Sequence, residues 1–232
     1  MEHLLAGQRH LHRASRRPRA DRRKRRVGID PQLGADASGQ IQAIGHDVLS
    51  GNLVTENYFE GAANQTRSLY AGANRQTRHR LVALDVPVAS SMRAPGEAAG
   101  MLALECAMDE LAEKLQVDPI ELRIRNEPSQ DPTQHIPYST RNLVPCMRAG
   151  AERFGWNRRN AKPGQVRDGR WLVGMGMAAA TRQNPLQPST ATVRLDGNGI
   201  ATVRMAMTDI GTGTYTILTQ IAAEMLLSLI HI

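Results

Sequence analysis

Two short stretches of this chain have residue types and a spacing suited to anion chemistry. Met92-Arg-Ala-Pro-Gly96 joins an extended segment to a helix-forming run. A loop that feeds a helix N-terminus presents backbone N–H groups at the positive end of the helix dipole, which suits an oxyanion or a metal-oxo ligand. Arg93 would add a fixed cation there. The plainer reading is a structural turn in which Arg93 pairs with Glu97. The second stretch, Asp209-Ile-Gly-Thr-Gly-Thr214, again stands between a strand pattern and a helix pattern. Its glycines would let a phosphate approach the backbone, with the amides of Thr212, Gly213 and Thr214 as an anion nest. The lysine of a P-loop is missing and the spacing is not GxGxxG. A tight strand–helix turn therefore remains the other reading.

Other chemistries find little support. His46, His79 and His135 are isolated, and no HExxH pair or GxSxG elbow occurs. Two cysteines hold neither an iron–sulfur cluster nor a four-cysteine zinc site, and Cys106 and Cys146 read as small core residues. Aromatic residues make up 3%, too few for a base-stacking platform. Hydrophobic residues make up 41%, too many for a disordered chain, yet no apolar run is long enough to span a bilayer. The net charge of +7 resides entirely in residues 1–30, which hold ten Lys/Arg against three acids. The body beyond them is neutral.

The elements that must position the two stretches follow from pattern. Gly39–Leu49 and Arg80–Pro87 read as extended segments. Glu97–Gln116 is the clearest helix, with Leu104, Met108, Leu111 and Leu115 on one stripe. Its first half is apolar almost all round, which predicts a helix that starts deep in the protein and ends at its surface. Asp118-Pro-Ile-Glu121 caps a short helix to about Arg125. Ser139 is the expected cap of a helix that reaches Phe154 and stops at Gly155. Arg158–Gly169 is the linker candidate, and Trp171–Ala178 reads as a buried strand. Asp196-Gly-Asn-Gly199 joins two strands into a hairpin. A helix follows from Tyr215 to Leu227, with Ile217, Ile221, Ala222 and Met225 on one face. The fold class is α+β over two domains.

The stretch from Met92 (RAPGEAAGMLALECAMDELAEKLQVDPIELRIRN) to Glu127 resembles the molybdenum-cofactor-binding subunit of the xanthine dehydrogenase/aldehyde oxidase family, the molybdenum hydroxylases. Its bacterial aldehyde-oxidoreductase branch is most similar, with RAPGE where eukaryotic enzymes have RGFG. The resemblance runs over about residues 33–227. It implies part of a first molybdopterin-binding domain at 33–160 and the start of a second at 165–227. Arg93, Ala94, Pro95 and Gly96 match the family's loop at the molybdenum centre, and Ile210, Gly211 and Thr212 match its pterin-phosphate segment. Together these would be two walls of one cofactor site. Pro95 stands where eukaryotic enzymes carry a substrate-stacking Phe, and Thr212 where many relatives have Gln.

The activity implied is oxidation of an aldehyde or an N-heterocycle with water as oxygen source and a glutamate as base. The implied cofactor is molybdenum–molybdopterin, with the cytosine dinucleotide form as one candidate. Electrons would pass to a 2Fe–2S subunit and an FAD subunit. No membrane or nucleic-acid partner is expected. Location would be cytoplasmic, or periplasmic through a partner subunit's signal. The family's upstream GGxFGGK motif and its catalytic glutamate fall beyond the two ends, so this chain is expected to be a fragment without activity of its own. Residues 1–32 and 228–232 do not resemble the family and read as unrelated or out-of-frame sequence. The alternative is a small α/β nucleic-acid-binding protein that uses the basic arm.

Overall fold

Asp36 turns the chain between the first two long strands. Its Oδ1 accepts from the Ser38 amide at 2.9 Å and the Gln40 amide at 3.0 Å. The computed structural model describes residues 12–14, 27–182 and 187–226, which fall into two units, 1–182 and 183–232. In the first unit the sheet order is β1 (His12–Ala14), β2 (Val27–Ala35), β3 (Ile41–Leu53), β4 (Asn74–Leu84). The β1–β2 and β2–β3 pairs are antiparallel, and β3–β4 is parallel. A parallel pair needs a crossover. Here residues 54–73 supply it, through a 3₁₀ turn at Gln65–Arg67 that buries Gln65 and Thr66.

Helix α1 (Glu97–Leu115) packs its stripe on this sheet. Leu104, Met108 and Leu111 meet Leu33, Ala35, Ile41 and Ile44 in one core cluster, with Leu122 from α2 (Pro119–Arg125). Replacing Leu111, which is fully buried, with alanine should cost about 2–5 kcal/mol. Urea unfolding measures this, and a loss below about 0.5 kcal/mol would show that the stripe is not core.

The start of α1 is not deep as expected: Ala98, Ala99, Leu102 and Cys106 are exposed, and the buried residues form one stripe that runs from Gly100 to Ala112 through both halves. Near its start the helix buries only its glycine face, against the crossover backbone at 61–62. Cys106 and Cys146 are both exposed, not core residues, because each lies off its helix's buried stripe.

Caps and stops follow local chemistry. Asp118 accepts from the amides of Ile120 and Glu121 at 2.8 and 3.3 Å. Helix α3 (Leu143–Phe154) ends at Gly155, whose φ of 74° favours glycine. It does not begin at Ser139; its N-cap is Asn142. The preceding segment is held elsewhere: the Tyr138 hydroxyl donates to the Ser68 carbonyl at 3.0 Å, and Arg141 to that of Leu69 at 2.7 Å.

Trp171–Ala178 is not a buried strand. Only β6 (Trp171–Val173) forms, exposed and paired with β5 (Val166–Asp168). Beyond it the Ala179 amide donates to Glu105 Oε2 at 2.6 Å. That contact belongs to the first unit, so the division falls after Arg182 instead of within 158–169. The basic-arm boundary also moves. Strand β2 starts at Val27, and Ile29 packs on Val48, Ala62 and Ala63. The arm's residues 1–11 and 15–26 lie outside the described residues, as do 227–232.

In the second unit β7 (Ala191–Leu195) and β8 (Ala201–Met205) form the expected hairpin. Helix α4 (Thr214–Met225) follows. The face expected to be buried is mostly exposed, at Ile217, Ile221 and Met225. Helix α4 turns Leu218, Ala222 and Leu226 toward a groove shared with Leu195, Ile200 and Val203.

Candidate functional site

The Arg93 loop follows β4 and ends in α1. Met92, Arg93 and Pro95 are exposed, while Gly96 is buried as the N-cap of α1. Gly96 has a φ of 72°, and a Cβ there would lie 2.7 Å from the backbone of Gly61 and Ala62. Only glycine satisfies both demands. Ala94 has a φ of 56°, a left-handed conformation that costs a non-glycine residue about 1–2 kcal/mol. The Gly96 amide is not free for a ligand: it donates to Glu60 Oε2 at 3.1 Å. Glu97 accepts from Gln65 Nε2 at 3.0 Å and pairs with Arg182 through its other oxygen.

The Ile210 loop precedes α4. Ile210, Gly211 and Thr212 are exposed, and Gly211 has a φ of 91°. Amides converge at this turn, but they are led by Gly211 and Thr212 instead of the expected Thr212, Gly213 and Thr214, and the chain itself supplies their acceptor. Asp209 Oδ1 accepts from the Gly211 amide at 2.8 Å and the Thr212 amide at 3.0 Å. The Gly211 amide above all, and then that of Thr212, hold the Asp209 carboxyl below the usual carboxylate range against the opposing effect of desolvation. The Thr212 and Thr214 hydroxyls meet at 2.8 Å. Donors that already converge on a carboxylate oxygen have the chemistry to hold a phosphate oxygen, so this donor set fits an anionic group.

One concavity of about 780 Å³ is lined by residues 32–34, 43–45 and 73–76, and another of about 790 Å³ lies in the hairpin–α4 groove. Neither includes Arg93–Gly96 or Ile210–Thr212. Among the described residues no cluster of three or more His, Cys, Asp or Glu could hold a metal ion. No helix among them is long and apolar enough to cross a membrane.

Glu60, Gln65, Asp209 and Arg182 did not stand out as site residues in the sequence. Only Asp209 left a local signal, an acid two residues before a glycine in a turn. The others act from 36, 32 and 85 residues away along the chain.

His46 is buried on β3 with Nδ1 2.6 Å from the Thr66 hydroxyl, and its Nε2 has no partner. Burial first, and then His79, lower its pKa to about 4, while Asp30 and Asp47 oppose them. The folded state thus resists a proton that the unfolded chain accepts near pH 6.5. Stability from this group is complete above pH 6.5 and falls as pH drops from 6.5 toward 4, by about 3 kcal/mol in all. Urea titrations of the wild type and His46→Leu across that range test this. An equally steep fall in the variant would assign the loss to other groups.

Two models described as molybdopterin cofactor-binding domain match this chain, at residues 15–127 and 149–231. The first holds the Arg93 loop and extends into the basic arm, and the second holds the Ile210 loop. The aldehyde oxidoreductase molybdenum-binding subunit PaoC of Escherichia coli K12 is 56% identical over 196 residues, 84% of this chain and 27% of that protein. The xanthine dehydrogenase molybdenum-binding subunit of Escherichia coli O157:H7 is 27% identical over 217 residues, 88% of this chain and 29% of that protein. This chain thus spans about a quarter of the length of the curated relatives it matches. Among solved structures, quinoline 2-oxidoreductase from Pseudomonas putida 86 superposes with a TM-score of 0.62 at 20% identity, over 86% of this chain and 29% of that one. CO dehydrogenase from Oligotropha carboxidovorans gives 0.60 at 16% identity, over 85% and 28%.

The mixed helix-and-strand architecture is thus one found in molybdenum oxidoreductases. The chain belongs to the molybdenum hydroxylase family, as part of its molybdopterin-binding region.

Proposed function

We propose that this chain is a cofactor-holding portion of a molybdenum hydroxylase subunit that oxidises aldehydes or N-heterocycles, with water as oxygen source. One observation carries the reading: each molybdopterin-binding model covers one of the two anion-suited junctions. The cofactor is molybdenum–molybdopterin, in its cytosine dinucleotide form, and the partners are a 2Fe–2S subunit and an FAD subunit. The stretches that the two cofactor-binding models match, residues 15–127 and 149–231, represent its two cofactor-binding domains. The protein works in the cytoplasm, or in the periplasm through a partner subunit's signal.

Arg93, Ala94, Pro95 and Gly96 form one holding loop, and Ile210, Gly211 and Thr212 the other. When bound, the molybdenum–pterin group supplies the two-electron redox chemistry. The protein supplies charge and fit. Arg93 sets a permanent cation in an exposed loop, and its planar fork suits paired oxygens. The Gly211 and Thr212 amides would hold a phosphate oxygen in the place that the Asp209 carboxylate takes here. The Thr212 and Thr214 hydroxyls add two adjustable donors.

The test loads the purified chain with molybdenum cofactor, then measures bound molybdenum per protein and aldehyde oxidation with an artificial dye. Wild type should retain molybdenum after loading. Arg93→Ala should retain at least about tenfold less, a loss of about 1.4 kcal/mol. Equal retention in both would remove Arg93 from the site.

A further inference from the structure

We propose that Glu97 is a positioning residue for the Arg93–Gly96 loop, clamped between the buried amide of Gln65 and the guanidinium of Arg182; the inference rests on the cofactor reading above. A glutamate in the first turn of a helix is ordinarily served by solvent and the helix dipole. Glu97 is not left to solvent, since its side chain is only 15% exposed. One carboxylate oxygen takes Gln65 Nε2 at 3.0 Å, and the other takes Arg182. Gln65 is itself 2% exposed, and its side-chain oxygen faces the Thr181 hydroxyl at 3.5 Å. A buried crossover residue and the consecutive residues Thr181 and Arg182 therefore converge on the first side chain after the loop.

The loop's last residue is pinned as well. The Gly96 amide bonds to Glu60, and Gly96 and Gly100 leave no room for a Cβ against the 61–62 backbone. Immediately before these anchors Ala94 keeps its left-handed backbone, a conformation that persists only where the surroundings impose it. Glu97 thus acts through the loop and not on substrate. Arg182 ends the first unit, so the same carboxylate also fixes where the chain leaves that unit.

Hydrogen exchange on the 232-residue chain tests the clamp, with α2 amides as an internal control for folding. Glu97→Ala should speed exchange at residues 94–98 by about tenfold while α2 stays within about twofold of wild type. Arg182→Ala should loosen the same amides, and Arg182→Lys, which keeps the charge, should restore them. Molybdenum retention after loading should fall in Glu97→Ala and recover in Arg182→Lys relative to Arg182→Ala. Unchanged exchange at 94–98 in Glu97→Ala, or Arg182→Lys behaving like Arg182→Ala, would overturn the clamp. Full molybdenum retention in Arg93→Ala would instead remove the Arg93 loop from the cofactor site, and it would do so whatever the exchange data show.

Discussion

Arg123→Met should destabilise the first unit by about 3–5 kcal/mol, the usual cost of removing one partner from a buried ion pair. The Arg123 side chain is fully buried, with Nε 2.9 Å from Glu105 Oε2 and Nη2 2.9 Å from Asp109 Oδ1. It also donates to the Pro119 carbonyl at 3.0 Å and the Glu105 carbonyl at 3.2 Å. Glu105 serves as a hub, accepting from the Tyr70 hydroxyl and the Ala179 amide, both at 2.6 Å. Burial, and then the Glu105 charge, push the Tyr70 phenol well above its ordinary pKa, so it remains a donor. Without Arg123 the Glu105 charge keeps two neutral donors and loses its cation. A second variant, Arg123→Met with Glu105→Leu, should recover part of the loss, because no unpaired charge is then buried. Guanidinium unfolding measures both. A loss below about 1 kcal/mol for Arg123→Met would mean that water reaches the network.

Gly100→Ala should destabilise by about 1–3 kcal/mol or more, although alanine favours a helix by about 0.8–1.0 kcal/mol over glycine. A Cβ at residue 100 would stand 1.7 Å from the Ala62 carbonyl oxygen and 2.6 Å from its carbon. Both are backbone atoms, so no rotamer change relieves the clash; the helix or the crossover must move. Gly150, inside α3, provides the control, because a Cβ there meets nothing within 4 Å. Gly150→Ala should therefore stabilise by about 0.4–1 kcal/mol. Opposite signs from one chemical change separate packing from propensity. Equal shifts in the two midpoints would refute the close approach of α1 to residue 62.

Where a signal is local, the sequence is enough. The Asp118–Pro119 cap, the stop at Gly155, the Asp196–Gly199 turn and the α1 stripe all depend on residues within about one helical turn or one hairpin of each other. The resemblance carried by the long RAPGE-containing stretch likewise pointed to the family that the two cofactor-binding models match. Where the outcome depends on what lies opposite, sequence pattern misleads. The apolar start of α1 looks like core, yet it remains exposed because the crossover meets only its glycine face. Ser139 looks like a cap, but Ser68 and Leu69 hold its neighbours in another path. That two loops lead into helices at residues 97 and 214 could be read from local pattern. What holds the Arg93 loop could not, since Glu60, Gln65 and Arg182 reach it only after the crossover and the 179–182 segment fold back. Hydrogen-bond partners separated by tens of residues leave no spacing to read; chain folding alone decides that they meet.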